Sequence, residues 1–298
     1  MKKIILLSFL SCVFLLSVFG QNNKVGGKYV YEFRDGTTVI GTFIKQESGN
    51  IYITNTDGKE TYIPEIMVVN IISFDDSKVV DGEYWFPNLH DSRYFFSPTA
   101  FGLERGEGYY STSYFMLWQA QMGLTDNFSI GAGTTPLGVP IMLNFKITGN
   151  IAEKSNMAYG WLFVGDRSDG DILQLNMPFA VYTRGTKENN FTIGTGLAFN
   201  KDYDLDSEHI VINIAATQRL AKRFSFVFET WVFNTFSEND VSLLGGPGIR
   251  YFRKINRVTA RNGAGASTWD LQFLTFPELW DADSGMLFIP MAGRSWKF

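Results

Sequence analysis

The sequence predicts an all-β protein: an antiparallel transmembrane β-barrel of about twelve strands, with ten as the alternative, preceded by a small SH3-like or Sm-like β module. Three observations lead there. From residue 93 onward, apolar side chains recur at every second position over runs long enough to cross a bilayer. The sign of the charge alternates from one connection to the next. Aromatic residues make up 16% of the 298 residues and glycines number 29, yet mean hydropathy is near zero. That mean does not fit a bundle of membrane helices, but it fits strands that average a lipid-facing with a lumen-facing row. The 26 basic against 30 acidic residues exclude a generally basic nucleic-acid binder.

At the amino end, Lys2 and Lys3 precede an apolar run from Ile4 to Phe19, closed by Gly20 and followed by Gln21, Asn22 and Asn23. This is the layout of a secretory signal peptide over residues 1–20, because the run is too short for the ~20 residues of a spanning helix. Cleavage after Gly20 would discard Cys12, the one cysteine, and with it any disulfide, thiol nucleophile or thiolate metal site.

Residues 27–80 carry five short alternating runs separated by the turn pairs Asp35-Gly36, Ser48-Gly49 and Asp57-Gly58. The Asp-Gly pairs favour tight hairpins, and five strands in so short a stretch predict the small barrel-like module. Behind a signal peptide, and without a basic patch interleaved with aromatics, nucleic acid is not an expected partner. A periplasmic plug, spacer or docking module for a protein partner is. Asp75, Asp76, Asp81, Gly82, Pro87 and Asn88 mark a linker over residues 81–92.

Residues 93–298 form the expected barrel. One face carries Ile141, Leu143, Phe145 and Ile147, then Met157, Tyr159, Trp161 and Phe163. It continues with Leu173, Leu175, Met177, Phe179 and Val181, then Ile210, Ile212 and Ile214, then Phe224, Phe226, Phe228 and Val232. The opposite face is small or polar, with Asn144, Gly160, Gln174, Asn176, Gly194, Asn213 and Glu229. Closing such a sheet satisfies every backbone group that lipid cannot.

Taking alternate connections as one rim, residues 102–107, 135–140, 165–171, 200–208, 234–240 and 276–285 hold Glu104, Glu107, Asp166, Asp169, Asp171, Asp202, Asp204, Asp206, Glu208, Glu238, Asp240, Glu278, Asp281 and Asp283. Only Arg105, Arg167 and Lys201 oppose them. The other rim holds Lys154, Arg184, Lys187, Arg219, Lys222, Arg223, Arg253, Lys254, Arg257 and Arg261 against Asp126, Glu153 and Glu188. On the last strand Pro290, Ala292, Arg294, Trp296 and the terminal Phe298 share a face, in the register of an outer-membrane assembly signal. With Phe298 in the periplasm the basic rim is periplasmic and the acidic rim external. The strand expected from Tyr109 to Met122 then needs an outward-running partner, which Arg93 to Phe101 supplies, and the count reaches twelve. Trp269 to Leu274 is the weakest strand.

Arg93 to Phe101, Gly106 to Tyr110 and Gly123 to Gly131 resemble outer-membrane β-barrel proteins of Bacteroidetes, over most of residues 27–298. The turn 253–267 and Ala292 to Ser295 depart from that pattern. The resemblance implies the fold and an outer-membrane location; the residues themselves put the amino-terminal module in the periplasm as an expectation. It implies no activity, and no site residue is carried over from it.

Chemistry is sparse. His90 and His209 are the only histidines. Each Gly-x-Gly pair lacks the third glycine of a dinucleotide loop, and no P-loop or zinc-protease motif occurs. Ser207, Glu208 and His209 with Asp204 and Asp206 are the one hydrolase-like cluster, but neighbours on a strand point to opposite faces, so Glu208 would not align. Asp166, Asp169, Asp171, Asp204 and Asp206 are weak candidates for a divalent cation, without the spacing of an EF-hand loop. No cofactor is expected. The lumen candidates are Lys146, Gln174, Asn176, Asn213, Glu229, Arg250 and Asp270, with Arg250 and Asp270 expected to pair and a charge-selective constriction as the alternative. The expected function is a narrow passive pore or a structural envelope protein. A lipid-modifying hydrolase and a scaffold for periplasmic partners are the alternatives. Expected partners are outer-membrane lipid, lipopolysaccharide and the barrel assembly machinery, the last through Phe298.

Overall fold

A computed structural model describes residues 23–34, 37–74, 79–80, 83–113, 116–165, 175–200, 209–235, 241–254, 266–276, 280–281, 285–286 and 288–298. The signal-peptide reading, the Asp35-Gly36 turn and most of the acidic connections lie outside these residues.

The amino-terminal unit is a five-stranded antiparallel sheet in the order β4-β3-β2-β1-β5. Its strands are β1 (Lys28–Phe33), β2 (Thr38–Glu47), β3 (Asn50–Asn55), β4 (Glu60–Pro64) and β5 (Val68–Ser73). Ser48 and Gly49, with φ of 51° and 75°, make the two-residue left-handed turn that the right-handed twist of a hairpin requires. One 3-10 turn, Glu65–Met67, joins β4 to β5. Tyr31, Phe43, Ile51, Ile53, Ile63 and Val68 form its core. Burial in that core, with Tyr29 adding to it, pushes the Tyr31 hydroxyl up to about 12.

The second unit is a closed antiparallel barrel. Two short ladders lie outside its wall: β6 (Val79–Val80) with β7 (Glu83–Tyr84), and β19 (Trp280–Asp281) with β20 (Gly285–Met286). The wall consists of β8 (Gly108–Ser113), β9 (Leu117–Thr125), β10 (Phe128–Thr134), β11 (Ile141–Ala152), β12 (Ser155–Gly165), β13 (Leu175–Gly185), β14 (Asn189–Asn200), β15 (His209–Ala221), β16 (Phe224–Thr235), β17 (Val241–Lys254), β18 (Ser267–Leu274) and β21 (Ile289–Lys297). These twelve strands pair with their neighbours in sequence, and β21 pairs with β8 to close the ring. At the seam, Gly108 and Phe298 exchange two backbone hydrogen bonds of 2.9 Å. The wall turns Trp118, Leu143, Ile147, Tyr159, Ile193, Ile212, Phe226 and Leu271 outward, each more than a third exposed. Such a band around a sheet without edges is what hydrocarbon requires.

Four expectations are corrected. Arg93 to Phe101 is not a wall strand. It folds on itself through an Arg93–Pro98 bridge and a bond from the Tyr94 N–H to the Ser97 carbonyl, and Pro98 has no N–H to give a ladder. The single strand expected from Tyr109 to Met122 is instead the hairpin β8–β9, so the count stays at twelve. Its reversal near Met116 contains no Gly, Pro or Asn to announce it. In β13 the faces are the reverse of those expected. Phe179 lies opposite Gly160 of β12, where a Cβ would come within 2.3 Å of its ring, and Val181 is buried on the inner face. Pro178, Ala180 and Tyr182 take the outer face. The sequence of β13 does alternate, Leu175, Met177, Phe179 and Val181 against Asn176, Pro178, Ala180 and Tyr182, but here the larger apolar row fills the interior, with Phe179 in the notch left by Gly160.

The seam also moves residues 102–107 to the rim that bears Phe298, so Glu104, Arg105 and Glu107 join the basic turns. The turns after β9, β11, β13 and β15 share that rim. The strands β12, β14 and β16 end at the opposite rim, where the sequence continues into Asp166, Asp202 and Glu238.

Candidate functional site: a lumen occupied by the chain

Residues 84–103 run inside the barrel. Tyr84, Phe86, Leu89, His90, Arg93, Tyr94, Phe95 and Phe101 are all buried, and inward-facing groups of the wall hold them. A polar backbone taken out of water needs a partner for each N–H and C=O, and the wall supplies those partners from charged side chains.

Glu229 of β16, fully buried, accepts hydrogen bonds from three successive backbone N–H groups. Those of Phe95 and Ser97 lie at 2.8 and 3.0 Å, and that of Phe96 at 3.0 Å. The indole Nε1 of Trp231 donates a fourth at 2.8 Å. Lys146 of β11 does the converse, donating to the carbonyls of Thr99 and Phe101 at 3.0 and 2.8 Å. Between them Asp270 of β18 accepts from Arg250 Nε of β17 at 2.8 Å and from Arg93 Nη2 of the plug at 3.2 Å. Arg250 also donates to the carbonyls of His90, Arg93 and Tyr94. The pair expected from the sequence is therefore a triad, with its third member in the plug.

Nearer the Phe298 rim, Lys297 donates to the Leu89 carbonyl and pairs with Glu107 at 2.9 Å. Asp91 pairs with Lys187 at 2.8 Å. Burial works to lower the Lys187 ammonium, but Asp91, assisted by Glu107 and Glu104, holds it above its ordinary value. The Arg219 guanidinium lies 4.6 Å from the Phe86 ring and 4.0 Å from that of Phe252. The Tyr94 hydroxyl bonds Asn190 and Thr192, and Thr183 accepts from the Ala100 N–H at 2.8 Å.

Of the lumen candidates, Lys146, Asn213, Glu229, Arg250 and Asp270 face inward and are buried. Asn176 does not. It stands opposite Phe163 and Phe199, on the outer side that the reversal of β13 gives it. Gln174, Asp166, Asp169, Asp171, Asp204, Asp206, Ser207 and Glu208 lie outside the described residues, and so do the cation and hydrolase readings built on them. Among the described residues no group of three or more His, Cys, Asp or Glu side chains is placed to hold a metal ion. The anchors Arg93, Lys297, Arg219 and Tyr94 were not anticipated. Lys297 was within reach, since it sits two positions from Ser295 and four from Gly293 on the inner row.

Above the plug, toward the rim opposite Phe298, two adjoining cavities of ≈ 270 and ≈ 620 Å³ share Phe96, Leu162, Met177, Val211 and Trp231 in their walls. Phe96 and Pro98 bring the plug up to this space as its floor.

Comparison with known proteins gives structures only. No family model matches the chain, and no curated protein matches it. OmpT expressed in the outer membrane of Vibrio cholerae is similar with 11% identity and a TM-score of 0.32, covering 92% of this chain and 95% of that one. A loop L8 deletion mutant of OmpT, an outer membrane protein of the same organism, has 10% identity and a TM-score of 0.31 over 91% of this chain and 96% of the other. In-vitro folded OmpT in its trimer form has 10% identity and a TM-score of 0.28, over 91% and 96%.

Proposed function

We propose that this protein is an outer-membrane barrel kept shut by its own residues 84–103, a structural envelope protein in its resting state rather than an open passive pore. One observation carries the reading: among the described inner-wall residues, Lys146, Glu229, Arg250, Asp270 and Lys297 all bond to the plug or to one another. Charges that line an aqueous path stay hydrated, whereas these are desolvated and used up by peptide groups. The exterior band of aromatics and the basic rim bearing Phe298 support an outer-membrane setting with that rim in the periplasm. There Phe298 is offered to the assembly machinery, and the SH3-like or Sm-like module to a periplasmic protein. The acidic connections then face outward toward lipopolysaccharide.

Planar-bilayer conductance of the purified full chain tests this. Wild type gives no unitary steps at neutral pH in 1 M salt, and the double variant Glu229→Ala, Lys146→Met, which removes the wall's hold on the amides of residues 95–97 and on the carbonyls of Thr99 and Phe101, gives them. Steady conductance of the wild type, equal to that of the double variant, overturns the reading.

A further inference from the structure

The outer face of the closing seam carries a charge that the barrel itself does not answer. On β21, Ser295 and Lys297 are buried on the inner row, so Arg294 and Trp296 point outward. Arg294 stands opposite Trp269 of β18, itself 37% exposed, and its guanidinium lies 4.9 Å from the Trp269 ring and 4.2 Å from that of Trp296. Tyr110 of β8 stacks on Trp296 at 5.5 Å. Arg253 of β17 is exposed on the same outer surface, near enough to Arg294 for the two like charges to repel. Among the described residues no carboxylate lies within ion-pair distance of either guanidinium.

Arg294 is four residues from the end of the chain. At ~3.3 Å per residue that is ~13 Å along the strand, near the rim, where aromatic girdles meet headgroups. Toward the middle of the wall the surface continues with Leu271 and Phe273, both more than a third exposed. A guanidinium at the edge of hydrocarbon without a counter-ion is costly, and the two indoles attract only its faces. The N–H groups in its plane remain for an anionic acceptor, and the planar fork matches two phosphate oxygens at once. An occupant with its charge at headgroup depth and its apolar part along Leu271 and Phe273 is a lipid. Two uncompensated cations favour a headgroup of net negative charge over a zwitterionic one, whose ammonium they repel.

We propose that Arg294 and Arg253, with Trp269 and Trp296, hold the phosphate of an anionic glycerophospholipid against the outer wall at the seam. The inference rests on the outer-membrane reading, since this face has to lie in a bilayer, but not on the plug. Conductance reports the plug and lipid contact reports the seam, so the two fail separately.

The experiment places the full chain in phosphatidylcholine bilayers containing a small fraction of lipid brominated on its acyl chains, either phosphatidylglycerol or phosphatidylcholine, and reads tryptophan quenching. In wild type the brominated phosphatidylglycerol associates at least threefold more strongly than the brominated phosphatidylcholine. Arg294→Gln with Arg253→Gln abolishes that preference. Trp269→Phe with Trp296→Phe, which removes the reporters at the seam, removes most of the excess quenching. Inorganic phosphate, exchanged for chloride at equal ionic strength, leaves it in place. Equal quenching by the two lipids in wild type, a preference kept in the double arginine variant, or excess quenching kept without the two tryptophans overturns the proposal. Loss of the excess to inorganic phosphate overturns it too, because the site then takes the free anion. If either double variant does not fold, wild type in 0.1 M and 1 M salt decides: screening lowers the preference at least twofold, and an unchanged preference overturns the proposal.

Discussion

Asp270 is the residue on which most of the lumen's polar order depends. It is 6% exposed and lies between Arg250 and Arg93, so one carboxylate is shared by a guanidinium of the wall and one of the plug. Removing one member of a buried ion cluster leaves the others charged and unpaired, at a cost of about 3–5 kcal/mol. Asp270→Asn should therefore lower the temperature at which the folded band shifts on a gel far more than a wall substitution elsewhere. Replacing Asp270 by Asn and Arg93 by Met together should recover part of that loss, because the second change removes one orphaned cation. Loss of the same size in both variants would show that Arg93 is not part of the cluster. Glu229 behaves differently, since four N–H donors converge on it. Glu229→Gln keeps the size but turns an amide N–H against those donors. At about 1–3 kcal/mol for each buried polar group left unsatisfied, the variant should unfold at lower temperature than wild type in the same gel assay.

Among the strands, β13 is the one whose orientation decides the walls of the cavities above the plug. With Val181 inward and Ala180 outward, a spin label at Ala180→Cys should collide freely with oxygen dissolved in lipid, and one at Val181→Cys should not. The opposite pattern would put Phe179 and Met177 back in the bilayer and empty the cavity wall. The amino-terminal sheet offers a test in pH. The Tyr31 hydroxyl titrates near 10 in an unfolded chain and at about 12 in the fold. Its contribution is therefore fully present below pH 10 and is lost as pH rises toward 12. Hydrogen exchange over residues 28–73 should accelerate in wild type between those values beyond its acceleration in Tyr31→Phe. Much of this architecture was readable in advance. Period-2 alternation placed Lys146, Asn213, Glu229, Arg250 and Asp270 on the inner row, because each sits on a strand with one plainly apolar face. It failed at β13, where the more apolar row faces the interior, and at residues 93–101, where Tyr94 and Phe96 alternate like a strand but Tyr94 and Phe95 are buried against Ala215 and Val227 of the wall's interior, with Phe96 partly buried beside them. The β8–β9 reversal carries no Gly, Pro or Asn, so its two strands read as one in the sequence, and residues 93–101 read as a strand make the count twelve again.

The barrel and its stopper come from one chain, and their order along it matters. Residues 84–103 precede β8, and the ring closes only when β21, the last strand, meets β8. Lys297, on that last strand, then reaches the Leu89 carbonyl and Glu107. Biogenesis is accordingly a packing problem with a deadline: the amino-terminal stretch has to be seated as the hoop is welded, since Lys297 of the closing strand holds it at the Leu89 carbonyl. A chain refolded with that stretch held outside by a bulky fusion ahead of residue 84 should either stall as an unsealed ribbon or finish as a hollow tube, and the two are told apart by protease sensitivity and by ion flow.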